Sequence, residues 1–280
     1  MMAAMLLWSS SGGQLRAQDV YYSGSLQYAT GSYYFTERTG SFYFSNSLGM
    51  SGDKGSVYFS IPLITQNTPW VSYTRSGTLP TGGPQSRLAG TRQQQQGGGR
   101  GQRKHTIDLG KADTVNFSKT HFGDPSLSAN IKLWSSPSAR TSISGNWGVK
   151  IPFTDENSGY GTGGWDVGGG ISWSQRIQQK YLMMLSGMYW VLGDMNDLNL
   201  NNMLSYSAAL GRMFKDGKWM TTASLFGSTE IIDEVDPPVS IGAGLNYRVS
   251  AQTNLSTNMM IGLTESASDF SIGVGWSINF

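Results

Sequence analysis

The sequence predicts an all-β chain: a transmembrane, antiparallel, up-and-down β-barrel of about twelve strands with one long low-complexity loop. Three observations carry this. The first is the closing stretch SDFSIGVGWSINF, where Phe270, Ile272, Val274, Trp276, Ile278 and Phe280 alternate with Asp269, Ser271, Gly273, Gly275, Ser277 and Asn279. A period of two, bulky and apolar on one face and small or polar on the other, suits a wall with lipid outside and water inside. The second is composition: 37 glycines, 12% aromatic residues and only 14% charged ones, where a soluble domain carries about 25% charged. Mean hydropathy is nonetheless below zero, as interleaving of apolar with polar side chains requires. The third is the alternation of short and long connections between strands.

No run of roughly 20 apolar residues is present, so the chain has no helical span in its pattern. Any crossing is made by strands. The absence of cysteine excludes disulfides, thiolate metal sites and a cysteine nucleophile, and is compatible with export. A net charge of +2, with no basic face interleaved with aromatics, gives no ground for nucleic acid as a partner.

Taken in order, residues 1–17 hold a short apolar run ending in Leu15-Arg16-Ala17 and read as a signal peptide, lacking the usual positive start. Residues 18–280 then form one barrel domain. Strands are expected at 20–28, 41–50 and 57–64, with a tight turn at Ser51-Gly52-Asp53-Lys54-Gly55. Pro62 has no N–H for the ladder, so a bulge or strand end is expected there. Residues 67–122 break the rhythm. Residues 70–73 extend a strand in pattern, but 77–106, rich in Gly, Gln and Arg, read as a mobile loop that buries too little to offset its ordering entropy.

Nine further strands are expected at 123–134, 140–152, 163–176, 180–192, 202–213, 218–228, 238–249, 252–264 and 268–280. Their connections at 135–139, 177–179, 215–217 and 250–251 are short; those at 154–162, 193–201 and 229–237 are longer and acidic. Short turns are periplasmic and long loops external in outer-membrane barrels, so an even strand count puts both barrel ends on the periplasmic side. The connection at 265–267 is shorter than that rule expects. Trp134, Phe153, Trp165, Trp173, Tyr181, Trp219, Tyr247, Trp276 and Phe280 lie near strand ends, as interfacial girdles require.

The motifs Gly123-Asp124, Lys150-Ile151-Pro152, the glycine-rich Gly159-Tyr160-Gly161-Thr162-Gly163-Gly164-Trp165-Asp166 and Gly244-Leu245-Asn246-Tyr247, in that order before a closing aromatic strand, resemble the outer-membrane barrel family of the MetA pathway of phenol degradation. The resemblance covers 123–280 well and the first hundred residues poorly. It implies a barrel of about twelve strands and the passage of small, often hydrophobic, compounds. The ending also resembles the C-terminal signal read by the barrel-assembly machinery, carried here by Gly275, Ile278 and Phe280, with Gly273 in place of the usual polar residue.

Lys132, Lys150, Asp166, Arg248 and Asp269 fall on the inward face in this register, where a charge avoids the roughly 2–4 kcal/mol that Arg or Lys costs against mid-bilayer lipid. Two roles are open to them: a lining that selects solutes by charge, or a lumen network that only stabilises the barrel. Arg87, Arg92, Arg100, Arg103 and Lys104, with His105, form a basic external loop that is solvated, bound to lipopolysaccharide phosphates or folded inward as a plug. The acids of the external loops show no metal-ligand spacing. Catalysis has little to use: the two histidines are His105 and His121, and only Ser118 lies near the latter. Neither GGG at 97–99 nor GTGG at 161–164 leads into a helix with a Lys-Ser/Thr pair, so neither is a phosphate loop.

The expectation is a monomeric channel of the bacterial outer membrane for passive passage of small hydrophobic or aromatic solutes, with no cofactor, no metal and no enzyme activity. Its surroundings would be outer-membrane lipid and lipopolysaccharide. The alternative is a non-conducting barrel that serves as a scaffold or partner in an envelope complex.

Overall fold

The computed structural model describes residues 19–35, 37–74, 77–82, 119–196 and 198–280. Its strands are β1 (Asp19–Gly31), β2 (Thr39–Gly52), β3 (Gly55–Gln66), β4 (Ser72–Thr74), β5 (Gly77–Leu79), β6 (Lys119–Phe122), β7 (Ser126–Ser135), β8 (Thr141–Lys150), β9 (Asp166–Ile177), β10 (Tyr181–Val191), β11 (Met203–Phe214), β12 (Trp219–Ser228), β13 (Val239–Arg248), β14 (Thr253–Gly262) and β15 (Phe270–Asn279). The expected signal peptide, the part of the loop from 83 to 106 and its five basic residues lie outside the described residues.

Each wall strand pairs antiparallel with its sequence neighbours, β1 pairs with β15, and β2 with β3, so the sheet closes on itself. Twelve strands make the wall: β1, β2, β3 and β7 to β15. Closure leaves no edge to present unpaired backbone to lipid.

Alternation decides which side chain faces which medium. Along β15 Ile272 and Val274 are exposed, while Ser271, Gly273, Gly275 and Ser277 are buried. The same division runs round the ring through Phe42, Leu48, Phe59, Leu127, Ile171, Leu185, Leu210 and Ile261, all exposed. So many large apolar side chains facing outward is the lipid belt of a membrane barrel.

The two ends differ in their connections. At the periplasmic end the turns are tight, and that at 215–217 runs through left-handed backbone at Lys215, Asp216 and Gly217. At the external end the connections are long and fold over the lumen.

Pro62 does not end β3. The ladder to β2 continues through Ser45↔Pro62, and the break falls instead in the neighbour on the other side. β3 pairs with β7 as far as Ser60 and with β6 from Leu63. Opposite the missing N–H, Gly123-Asp124-Pro125 leave the ladder, with Gly123 N still donating to the Pro62 carbonyl at 2.9 Å. That departure frees Asp124 to turn inward.

Residues 67–74 and 77–82, part of which was expected to be wall and part mobile loop, are an ordered insertion. β4 and β5 form a small hairpin, and Trp70, Val71, Ser72, Leu79 and Thr81 are all buried. The hairpin therefore lies within the barrel.

Candidate functional site: the external half of the lumen

Lys150 ends β8 and Asp166 begins β9, directly opposite it in the ladder, both on the inward face. The Lys150 ammonium lies 3.1 Å from Asp124 Oδ2 and 3.4 Å from Asp166 Oδ2, and donates to Thr162 Oγ1 at 2.6 Å. Asp124 Oδ1 accepts from the N–H of Phe153 (2.9 Å) and Thr154 (2.8 Å) and from the Thr154 hydroxyl (2.7 Å). Asp124 Oδ2 is held by the ion pair without hydrogen-bond geometry. Asp166 Oδ1 accepts from Gly193 N–H at 3.3 Å. Gly161 packs against the Asp124 carboxylate and the Thr154 hydroxyl so closely that a Cβ would overlap both.

All three charged side chains are at most 3% exposed. Ions so far from water are tolerated only when each is paired and hydrogen-bonded. The cluster ties the start of β7, the loop after β8, the start of β9 and the loop after β10 into one rim.

Facing it is the hairpin. Gln66 Nε2 donates to the carbonyls of Gly159 (2.8 Å) and Val71 (3.4 Å); the Thr39 and Thr68 hydroxyls meet at 2.5 Å; Ser72 and Thr81 meet at 2.7 Å. Trp70 packs on Phe35, ring centroids 5.2 Å apart, and Tyr73 on Tyr43 of β2 at 5.7 Å. At the far side Leu79 belongs to an apolar cluster with Met188 and Trp190 of β10, Met203 of β11, and Leu192, Leu198, Ile231 and Ile232 of the external loops. β2 and β11 lie on opposite sides of the ring, so the hairpin spans the barrel's diameter.

Trp190 is 1% exposed. Its indole lies against Gly148 and Gly168, where any side chain would collide with it, and its Nε1–H donates to Ser205 Oγ at 3.2 Å. Beside the hairpin is a cavity of about 190 Å³, lined by Leu79, Met188, Trp190, Phe226 and Met260 and by the serines at 186, 205, 207, 228, 240, 266 and 268. A larger depression of about 400 Å³, between Ile171, Trp173, Leu185, Tyr206 and Ala208, opens on the lipid side of the wall and is no part of the lumen.

The five charged residues expected to face inward fall into three places. Lys150 and Asp166 join Asp124 in the buried cluster. Lys132 sits near the periplasmic end, donating to the Asp53 carbonyl at 3.0 Å. Arg248 ends β13 at the same end, its N–H donating to the Lys218 carbonyl at 2.9 Å. Asp269 pairs with Arg38 at 2.7 Å on the external rim, both partly exposed. His121 stacks on Tyr160, ring centroids 5.3 Å apart; Ser118 lies outside the described residues. Gly275 faces inward in β15, and the Phe280 N–H donates to the Val20 carbonyl at 2.8 Å with its ring exposed.

Sequence reasoning missed Trp190, Met188, Met203 and Leu79. A signal existed: Met188-Tyr189-Trp190-Val191-Leu192 is apolar on both faces, which marks a strand covered on both sides.

A family model described as "Putative MetA-pathway of phenol degradation" matches residues 11–280. In three dimensions the chain is similar to the COG4313 outer membrane channel from Pseudomonas putida F1, at 11% identity, with 97% of this chain and 100% of that chain covered and a TM-score of 0.66. It is also similar to the NanC porin, at 10% identity, with 94% and 100% covered and a TM-score of 0.51. At these identities the likeness is one of fold. No curated protein matches the chain in sequence.

Proposed function

We propose a function from one premise: the chain belongs to the MetA-pathway phenol-degradation family of outer-membrane barrels. It is a channel that passes small solutes by diffusion, and its selective part is the external half of the lumen. The observation that carries this reading is the hairpin-narrowed lumen with its cavity of about 190 Å³. An apolar cavity of about 150 Å³ admits benzene, so a ring-sized molecule fits. Met188, Trp190, Phe226 and Met260 offer thioether and aromatic contacts, and the serine hydroxyls offer hydrogen bonds. Nothing lining the cavity is charged. The solutes that suit it are small and uncharged, with an apolar body and at most a polar tip.

Lys150 and Asp166 act in this reading through the rim they hold and not by touching the solute. Arg248 and Lys132 act near the periplasmic exit. Gly275, Ile278 and Phe280 serve recognition by the assembly machinery.

The hairpin also favours a second reading. Because it spans the whole diameter, it can close the barrel, leaving a scaffold with no current. Planar-bilayer recordings of folded, heat-modifiable protein separate the two. Wild type is compared with a variant in which a short Gly/Ser linker replaces 69–117. Stable openings in wild type, larger in the variant, support the channel. Silence in wild type with openings in the variant supports the closed scaffold, and silence in both overturns the channel reading.

A further inference from the structure

We propose that the lipid-facing wall at the periplasmic ends of β10 to β13 binds the phosphodiester headgroup of an inner-leaflet phospholipid. Toward the periplasmic end of β11 the outward positions are Leu210, Arg212 and Phe214, all exposed. Arg212 therefore stands on the lipid face, two residues from the end of its strand. A guanidinium there is tolerated only close to the interface and in company.

Its company is aromatic. The guanidinium carbon lies 4.8 Å from the Phe214 ring centroid and 5.9 Å from that of Tyr181, which is opposite Arg212 in the ladder. Among the described residues no carboxylate pairs with it. Ring faces attract the flat side of the cation and leave its edge donors for a planar pair of oxygens, the geometry in which Arg binds phosphate.

A second cation is held alike. Lys218 Nζ lies 5.5 Å from the Tyr247 ring centroid, and Tyr247 packs on Trp219 at 4.2 Å. The register joins the two, since Phe214 is opposite Trp219 and Trp219 opposite Tyr247. Tyr181, Arg212, Phe214, Trp219 and Tyr247 thus form one row over four adjacent strands. The turns beside it add Lys180 and Lys215 against the single acid Asp216.

A row of rings with two cations, at headgroup depth beside basic turns, matches a lipid whose glycerol and upper chains lie on the rings while its phosphate meets Arg212 and Lys218. The periplasmic side selects the source: that leaflet holds phospholipid, whereas the phosphates of lipopolysaccharide belong to the other.

The test uses the full-length folded barrel in detergent, with native mass spectrometry for retained lipid and thermal unfolding as a second readout. Phosphatidylglycerol is expected to remain bound to wild type and to raise its unfolding midpoint. R212Q with K218Q is expected to bind it about tenfold more weakly, with lipid-free unfolding unchanged. R212K is expected to fall between, keeping the charge without the fork. Phosphatidylglycerol binding unaltered in the double variant overturns the site. So does a fall in the double variant's lipid-free midpoint as large as its loss with lipid, because the cations would then serve packing alone. Equal or stronger retention of lipid A, lost in the same variants, overturns the assignment to the inner leaflet.

Discussion

The external and periplasmic ends of this barrel share one wall and follow one alternation, yet they are finished in opposite ways. Among the described residues the external connections carry Glu37, Asp124, Asp155, Glu156, Asp194, Glu230, Asp233, Glu234, Asp236, Glu265 and Asp269 against Arg38 and Lys119, and the five basic residues expected in the long external loop lie outside the described residues. The periplasmic turns carry Lys54, Arg140, Lys180, Lys215 and Lys218 against Asp53 and Asp216. Outside, long connections fold inward and bury Trp70, Trp190, Ile231 and Ile232; at the periplasmic end the described connections are tight turns, and none of them folds over the lumen. Strand alternation builds the wall, and connection length and charge decide what each end does.

Substitution at matched positions sharpens the contrast. Lys150→Met leaves Asp124 and Asp166 buried without their cation and is expected to cost about 3–5 kcal/mol, whereas Lys132→Met at the periplasmic turn stays within about 0.5 kcal/mol. Denaturant unfolding in detergent, followed by tryptophan fluorescence, measures both. Equal losses at the two positions would erase the distinction between the ends. The Lys150→Met/Asp166→Leu double variant is expected to recover part of the loss, since one unpaired carboxylate is removed with the ammonium.

Trp190→Ala is expected to cost about 3 kcal/mol and to enlarge the cavity, raising single-channel conductance. Trp219→Ala, in the periplasmic girdle, is expected to forfeit only the ring contact with Tyr247, about 0.5–1.5 kcal/mol, and to leave conductance alone. An unchanged current in Trp190→Ala would move the narrow point elsewhere.

Gly168→Ala places a methyl group where the Trp190 indole lies. An expected loss of about 1–3 kcal/mol is read in the same unfolding assay, with a shift in tryptophan emission. Arg38→Gln, which removes the exposed pair with Asp269, is expected to change stability by less than about 1 kcal/mol. That small difference should shrink further in high salt.

The wall was legible because alternation is a local signal repeated in every strand, and the twelve expected strands correspond to the twelve that close. Asp166 and Lys150 were legible as inward charges by the same rule. Their meeting with Asp124 was not, because alternation assigns a side chain to a face without naming its partners, and Asp124 lies where 123–125 leave the ladder opposite Pro62. Pro62 was read as a fault in its own strand; the cost of its missing N–H is borne by the neighbour, at 123–125. The hairpin escaped notice because Trp70, Val71 and Leu79 are few apolar residues among Gly, Thr, Ser and Pro, with no period to announce burial. Their cover comes from β2 on one side and from β10 and β11 on the other, which no local pattern encodes.

The pairing of β1 with β15 has a consequence for biogenesis. These strands are the first and last of the wall, so the cylinder cannot be sealed until synthesis of both has finished. Until then two raw margins face the surroundings, each with a row of unpaired amides and carbonyls that hydrocarbon does not accept. Tyr33, after β1, and Ser268, before β15, join hydroxyls at 2.6 Å across this join, fastening it from above. The hairpin enters the chain between β3 and β7, yet Trp70 and Val71 beside it pack in one cluster with Tyr33, so its docking braces that same join from within the cylinder.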